Sequence, residues 1–262
     1  MRVVAPGQFM QGSAPNDAEA QPVEMPQHSV SISYPFAAGV YEVTVGQYRQ
    51  FVADTGTDVK GCSVYDGDWR QNSDVGWKNA IEGQTDSYPV SCVSWQDAKR
   101  FAAWLSARTH HLYRLPSASE WEYAARGGSA AARPWTDPTE ACKYGNVADQ
   151  TGAARYPGWA TAACSDKYAQ TAPVGQFAAN SLGLYDMLGN VSEWTEDCWA
   201  DTYVGAPGDG SARIDADCSQ RELRGGSWFT QPDHVRVSYR DRFVPDYRST
   251  NIGFRLIREI AE

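Results

Sequence analysis

At 262 residues the chain is long enough to bury a sizeable core, and no apolar run approaches the ~20 residues that a membrane span needs. A formal charge of −9 argues against nucleic acid or an anionic membrane as a general partner. Ten Trp, 14 Tyr and 23 Gly suit a loop-rich fold in which aromatic rings supply the core and glycine lets the backbone turn tightly.

No secretory signal follows Met1, so the protein is expected to be cytoplasmic or to have lost a leader. Residues 11–28 form the most polar stretch and read as a surface loop. Strand-like alternation follows at Ser29–Ser33 and at Gly39–Val43. Thr44 caps a helix with Gln47 at its third position; Val45, Tyr48, Phe51 and Val52 share one face, and Gly56 stops it. Ser94 opens a second helix, with Asp97 in the first turn and Trp95, Ala98, Phe101, Ala102 and Leu105 on the apolar stripe. Ser117 and Glu120 make a capping box for a third, which ends at Gly127-Gly128. From residue 129 to 220 helical periodicity vanishes into turns, Gly, Asn, Asp and isolated aromatics. Short strands are expected at Leu223–Trp228, Val235–Arg240 and Ile252–Leu256. No linker divides the chain, so one α+β domain spanning 1–262, with few regular elements, is expected.

The six cysteines, Cys62, Cys92, Cys142, Cys164, Cys198 and Cys218, stand singly with no C-x-x-C pair, which disfavours structural zinc. Disulfides and an oxidising compartment are the favoured reading; six buried thiols are the alternative. Fifteen connectivities exist. Pairing along the chain, 62 with 92, 142 with 164 and 198 with 218, is preferred because each bond staples a Gly- or Asp-rich loop.

Six motifs occur in order: Gly39-x-Tyr41-Glu42-Val43-Thr44; Pro89-Val90-x-x-Val93-Ser94-Trp95; Arg114-Leu115-Pro116-Ser117-x-x-Glu120-Trp121-Glu122; Asn180-x-x-Gly183-Leu184-Tyr185-Asp186-Met187-x-Gly189-Asn190-Val191-x-Glu193-Trp194; Arg224-Gly225-Gly226-Ser227-Trp228; and Asn251-Ile252-Gly253-Phe254-Arg255. Together they resemble the formylglycine-generating-enzyme, or sulfatase-modifying-factor, superfamily, over roughly residues 3–258. The resemblance implies a variant of the C-type lectin fold, which hosts oxidases, sulfoxide synthases and pure ligand binders. The formylglycine-generating members hold copper through two cysteines just beyond the Gly-Gly-Ser segment. Here no cysteine follows Cys218, so thiolate ligation of Cu(I) there is ruled out. The chain also lacks the His-rich triad and extra helical domain of the iron-dependent sulfoxide-forming relatives. Ser192 replaces the family's usual Trp. The chain therefore resembles a cysteine-less branch, such as the periplasmic protein that matures the pyoverdine siderophore chromophore.

That resemblance implies structural Ca²⁺ held by Asn146, Val147, Asp166 and Tyr168, and a second ion at Gly189, Asn190, Val191 and Glu193. Hard oxygen donors on irregular backbone suit calcium; Asn and Asp that merely brace turns are the alternative. Ser227, Trp228, Thr230, His234 and Tyr239 fill the place where relatives do chemistry and are the candidate catalytic concavity, with His234 a general base or simply a surface residue. Arg240, Asp246, Arg248 and Arg255 read as internal salt bridges rather than a binding surface. The leading expectation is an exported, periplasmic or secreted, oxidoreductase-type enzyme tailoring a small molecule or modified peptide. The alternative is a C-type-lectin-like ligand binder with a variable surface, as in diversity-generating retroelements, at Phe229, Thr230, Asp233, His234, Tyr239, Asp241, Phe243, Tyr247, Ser249 and Thr250. A non-catalytic paralogue that binds an enzyme of the same family is a third.

Overall fold

The computed structural model describes residues 1–215 and 217–260; residues 216, 261 and 262 of the expected 1–262 domain lie outside the described residues. The three helices stand where the sequence puts them: α1 (Val45–Thr55), α2 (Trp95–Thr109) and α3 (Ala118–Arg126). Each begins in a reciprocal capping box, Thr44 with Gln47, Ser94 with Asp97 and Ser117 with Glu120. Such a cap is worth ~1 kcal/mol. Gly56 and Gly127 end α1 and α3 in left-handed backbone. The apolar stripes of α1 and α2 meet through Tyr48, Phe51 and Phe101, whose rings sit 5.2–5.9 Å apart. Trp77, Trp194, Leu223 and Phe254 close this core. A second core gathers Val30, Ile32, Phe36, Trp121, Leu184 and Val235.

Two four-stranded sheets frame these cores. In the first, β1 (Arg2–Val4), β4 (Phe36–Ala38), β12 (Ile257–Glu259) and β7 (Tyr113–Arg114) lie side by side, joining the chain's two ends. In the second the order is β10 (Arg240–Phe243), β9 (Arg221–Arg224), β8 (Ser192–Cys198) and β11 (Ile252–Gly253). Two hairpins complete the set: β2 (Gly7–Gln11) with β3 (His28–Ile32), and β5 (Lys60–Tyr65) with β6 (Trp69–Gly76). The mixed, element-poor architecture expected from the motifs is what forms.

Several local expectations need correction. Gly39–Val43 is not a strand: the ladder stops at Ala38, and the chain bends to place the Glu42 carboxyl inside. Residues 129–220 hold regular pieces after all, namely α4 (Ala141–Tyr144), α5 (Gln150–Arg155) and the central strand β8. Val235–Arg240 alternates in sequence but forms turns, because Val235, Arg236, Val237 and Ser238 are all buried and no solvent face exists. The strand expected at Ile252–Leu256 ends at Gly253, and the one at Leu223–Trp228 ends at Arg224, since Gly225 and Gly226 adopt φ of 87° and 68°. Residues 11–28 are not simply a surface loop. Glu24 is fully buried against Arg236, with N–H···O distances of 2.6 and 2.7 Å.

The C-terminal arginines are internal ties, as expected. Arg255 grips Glu193 (2.8 Å), Arg248 grips Asp97 (2.6 Å) and Arg240 grips Glu222 (2.5 Å), while Asp246 is exposed. Arg224, with no exposed surface, joins Glu122 at 2.5 Å and Glu222 at 3.2 Å.

Candidate functional site

The Gly-Gly-Ser-Trp segment leaves β9 in a tight turn. A side chain on Gly226 would press on Thr230, whose Oγ1 accepts the Ser227 N–H at 2.8 Å. Asn251 Nδ2 donates to Ser227 Oγ at 3.2 Å, and Ser249 Oγ donates to Asn251 Oδ1 at 2.6 Å. Ser227 and Trp228 are 0% and 1% exposed, so the open concavity expected over them does not form. Aromatic rings roof it. Trp228 is covered by Tyr65, Trp69, Tyr156 and Trp159, with centroids 5.9–6.4 Å away. Phe229 packs at 4.7, 5.1 and 5.0 Å from Tyr65, Trp69 and Trp159. Phe229 and Thr230 themselves keep part of their surface in solvent.

His234 and Tyr239 form a separate pair beside this turn, stacked at 4.9 Å with an 11° interplanar angle. The structure brings Ser227, Trp228 and Thr230 into mutual contact and turns His234 toward Gln21, 2.6 Å from ring Nε2. Burial, then the Asp241 charge, pushes the Tyr239 phenol up out of the ordinary range, so it stays protonated. The larger cavities lie elsewhere. One of about 510 Å³ is lined by Tyr41, Gln47, Phe101, Trp104 and Tyr113, and another of about 450 Å³ by Tyr34, Arg114, Ser117, Glu196 and Glu259.

The first expected cation position has suitable donors. Asn146 is wholly buried; its Nδ2 donates to the Gln170 carbonyl at 2.7 Å, leaving Oδ1 without a partner. Asp166 accepts the Tyr168 N–H at 2.7 Å and the Val147 N–H at 3.3 Å, and its own N–H donates to Asp149 at 2.6 Å. Burial pushes its carboxyl up to about 7, and the adjacent Asp149 charge adds to this. Two gathered carboxylates, one of them bound to the N–H of Val147, the residue after the orphaned Asn146 amide oxygen, supply the hard oxygen donors that a cation relieves. Asp149 and Cys142 also gather with Asp166, but the Cys142 sulfur is spent in a disulfide.

At the second position the donors are distributed differently from the expectation. Gly189 is required because any Cβ would overlap the Asn146 carbonyl, and that approach juxtaposes the two positions. Asn190 Oδ1 accepts the Ala172 N–H at 2.9 Å, and both Glu193 oxygens are taken by Arg255 and the Trp121 indole at 2.7–3.1 Å. The unpartnered oxygens belong instead to Glu42 and Asp186. Burial, then the neighbouring Asp186 charge, holds Glu42 well above the carboxylate range; burial pushes Asp186 up to about 6. Both residues sit inside motifs readable in the sequence, Tyr41-Glu42-Val43 and Tyr185-Asp186-Met187, though nothing in their spacing assigned them to an ion. The aromatic roof was also missed. Its one signal is Asp66-Gly67 between Tyr65 and Trp69, a hairpin-turn pair flanked by aromatics.

The cysteines pair as Cys62–Cys92, Cys142–Cys164 and Cys198–Cys218, the order favoured from sequence. The cysteine-less description is thereby corrected. Six cysteines are present and none is free; what is absent is a thiol pair beyond Gly226. Three disulfides fit an exported protein. Among the described residues no helix is long and apolar enough to cross a membrane.

Residues 1–260 match the sulfatase-modifying factor enzyme 1-like domain. The chain is 31% identical to the formylglycine-generating enzyme of Streptomyces coelicolor, over 95% of this chain and 86% of that protein. It is 30% identical to the bovine (Bos taurus) inactive C-alpha-formylglycine-generating enzyme 2, over 95% of this chain and 84% of that protein. Among solved structures, PvdO from Pseudomonas aeruginosa superposes with a TM-score of 0.85 at 35% identity, covering 98% of this chain and 93% of that one.

Proposed function

This chain belongs to the sulfatase-modifying factor enzyme 1-like family, and from that premise we propose that it is an exported tailoring enzyme of oxidoreductase type. Its substrate is a small molecule or modified peptide, as in siderophore chromophore maturation, and its place is the periplasm or beyond. The likeness to PvdO supports the assignment to this branch. The observation that carries the reading is the fate of sulfur: every cysteine is bridged and none follows Cys218, so no thiolate is free to ligate copper beside Ser227. Thr230, His234 and Tyr239 are the polar groups of the segment that a substrate reaches, and His234 is the general base. The whole chain acts as one domain. Two structural Ca²⁺ ions complete it, one at Asn146, Asp166 and the Val147 and Tyr168 carbonyls, the other drawing on Glu42 and Asp186 beside Gly189–Glu193.

Incubating the purified protein with a sulfatase-type cysteine peptide, with and without copper, tests the exclusion; formation of formylglycine in either case overturns it. His234→Ala is expected to lower turnover of the true substrate by ~100-fold or more, the usual worth of a general acid or base. The burial of Ser227 and Trp228 counts against a binding surface over them as much as against a catalytic one, so in the ligand-binding alternative the ligand meets the partly exposed Phe229, Thr230, His234 and Tyr239. Under that reading Tyr239→Ala weakens ligand affinity while no turnover is found.

A further inference from the structure

The segment that leads into β3 crosses the candidate site, and the crossing is built from two short 3-10 turns. One, Pro22–Glu24, begins at Gln21; the other, Pro232–His234, carries the candidate base. Proline opens both, where its missing N–H costs nothing and its fixed φ suits the turn. The fully buried Arg236 rivets the two turns together. Its Nη1 and Nη2 donate to Glu24 at 2.6 and 2.7 Å, and its Nε donates to the Asp233 carbonyl at 2.7 Å. Gln21 is thus held beside His234 by bonds that neither residue makes itself. Its side chain does not cap its own turn; its amide lies 2.6 Å from His234 Nε2.

An amide turns either its nitrogen or its oxygen to a neighbour, and the surrounding hydrogen bonds decide which. Here they select the oxygen. A separation of 2.6 Å is short for two nitrogens sharing a proton and close to the N–H···O range. Asp233 Oδ2 lies 3.7 Å from the same Nε2, so a second acceptor faces that ring nitrogen. Two acceptors at Nε2 call for a proton there. The bond made by one ring nitrogen sets the state of the other, and Nδ1 is left with its lone pair. Tyr239 stacks on the ring at 4.9 Å and 11°, which fixes the imidazole plane.

We propose that Gln21 is a positioning residue of this site: its side-chain oxygen accepts the His234 Nε2–H and so presents Nδ1 to the substrate. The inference rests on the reading of His234 as general base and says which nitrogen acts. The substrate gives an O–H or N–H proton to Nδ1 and keeps the bonding electron pair; Nδ1 later returns the proton to water. The imidazolium formed in between still meets the Gln21 and Asp233 oxygens at its other nitrogen. An acceptor there holds the tautomer and steadies the charge, as the carboxylate of a catalytic triad does.

Nitrogen-resolved NMR of protein carrying isotope-labelled histidine tests this without a substrate. Only His28, His110, His111 and His234 contribute signals, and His234→Ala identifies those of the site. Neutral His234 in the parent is expected to show a protonated Nε2 and a bare Nδ1. Gln21→Leu removes the acceptor and is expected to mix the two tautomers and lower the midpoint of the ring's titration. Gln21→Glu supplies a charged oxygen and is expected to keep the tautomer and raise the midpoint by about 1 pH unit. The other charges around the ring are common to all three proteins: Asp233 on its own turn, Asp241 on β10, Arg236 and Glu24 beside Tyr239, and Arg133, Asp17 and Glu19 beyond Arg236. Melting curves of both variants separate loss of the bond from loss of the fold. Supplied to the native host lacking this gene, Gln21→Leu is expected to lose ~10-fold or more of substrate conversion, and Gln21→Glu to recover part of it. A bare Nε2 in the parent, a tautomer that Gln21→Leu leaves untouched, or full rescue of the host by Gln21→Leu overturns the inference and leaves the base reading standing. Full rescue by His234→Ala overturns the base reading and leaves the bond between Gln21 and Nε2 in place.

Discussion

The region around α1 and α2 and the region from Gly145 to Arg255 are built on different physics, although they share Trp194 and Phe254 in one core. In the first, amphipathic helices bury Tyr48, Phe51 and Phe101 against each other, and capping boxes close the helix starts. In the second, irregular backbone is tied by buried guanidinium–carboxylate pairs, by disulfides and by oxygen clusters suited to a cation. Stability in the helical region is therefore mainly a matter of apolar area. In the other region it depends on every buried charge keeping its partner.

The largest test of that contrast is Arg224→Ala. It leaves Glu122 and Glu222 short of a buried partner and is expected to cost ~3–5 kcal/mol, as removing one member of a buried pair does. A double replacement of Arg224 and Glu122 by apolar residues of similar volume is expected to recover part of that loss and not all of it, because Glu122 also holds the buried Arg126 at 2.7 Å. Phe101→Ala should cost a similar ~3–5 kcal/mol by leaving a cavity, with no rescue from a charge partner. Denaturant melts of the variants check both; failure of the double replacement to recover would blur the distinction.

Removing the Cys142–Cys164 bridge is expected to cost ~2–4 kcal/mol in a thermal or denaturant melt. Because the bridge closes the loop that carries Asn146 and Asp149, the same change should weaken the response to calcium. Removing Cys62–Cys92 should leave that response intact.

Calcium and pH sharpen the contrast further. Asp166 has a folded-state pKa raised to about 7 by burial, so its contribution is fully present below the ordinary carboxylate pKa and is lost as pH rises through about 7. Chelated protein is expected to melt at lower temperature at pH 8 than at pH 5. Added Ca²⁺ should restore stability at pH 8, by about 2.7 kcal/mol at ~100 times its Kd, and do little at pH 5. Asp166→Ala and Asp186→Ala should each remove part of the calcium effect. Melting curves indifferent to chelator and calcium at both pH values would remove the ions from the account. The smallest effect expected is in the helical region: Ser94→Ala loses one cap and about 1 kcal/mol.

What the sequence disclosed follows the same division. The capping boxes at Thr44, Ser94 and Ser117 are local signals, so all three helices were legible. Strand β8 was not, because Ser192, Glu193, Thr195 and Asp197 are buried polar residues, and a strand buried on both faces shows no alternation. Arg236 and Ser238 misled for the same reason, through partners such as Glu24 that lie more than two hundred residues away. At the candidate site, Ser227, Trp228 and Thr230 were found by position and do meet. The roof over them was not legible, since Tyr65, Trp69, Tyr156 and Trp159 come from a hairpin and a loop whose docking no local pattern encodes. Glu42 and Asp186 stayed hidden because their oxygens converge only when the chain bends after Ala38.

The central proposal is that this fold, stripped of a thiol pair beyond Gly226, removes a pair of hydrogens from a small molecule or modified peptide, the two electrons passing to an external acceptor such as dioxygen, rather than converting a sulfatase cysteine. Mass spectrometry of the compounds released by the native host lacking this gene tests it most directly. The account expects a precursor richer by one pair of hydrogens to accumulate, to disappear when the intact gene is restored, and to persist when the His234→Ala form is supplied. An unchanged profile of released compounds, or full rescue by His234→Ala, would contradict it.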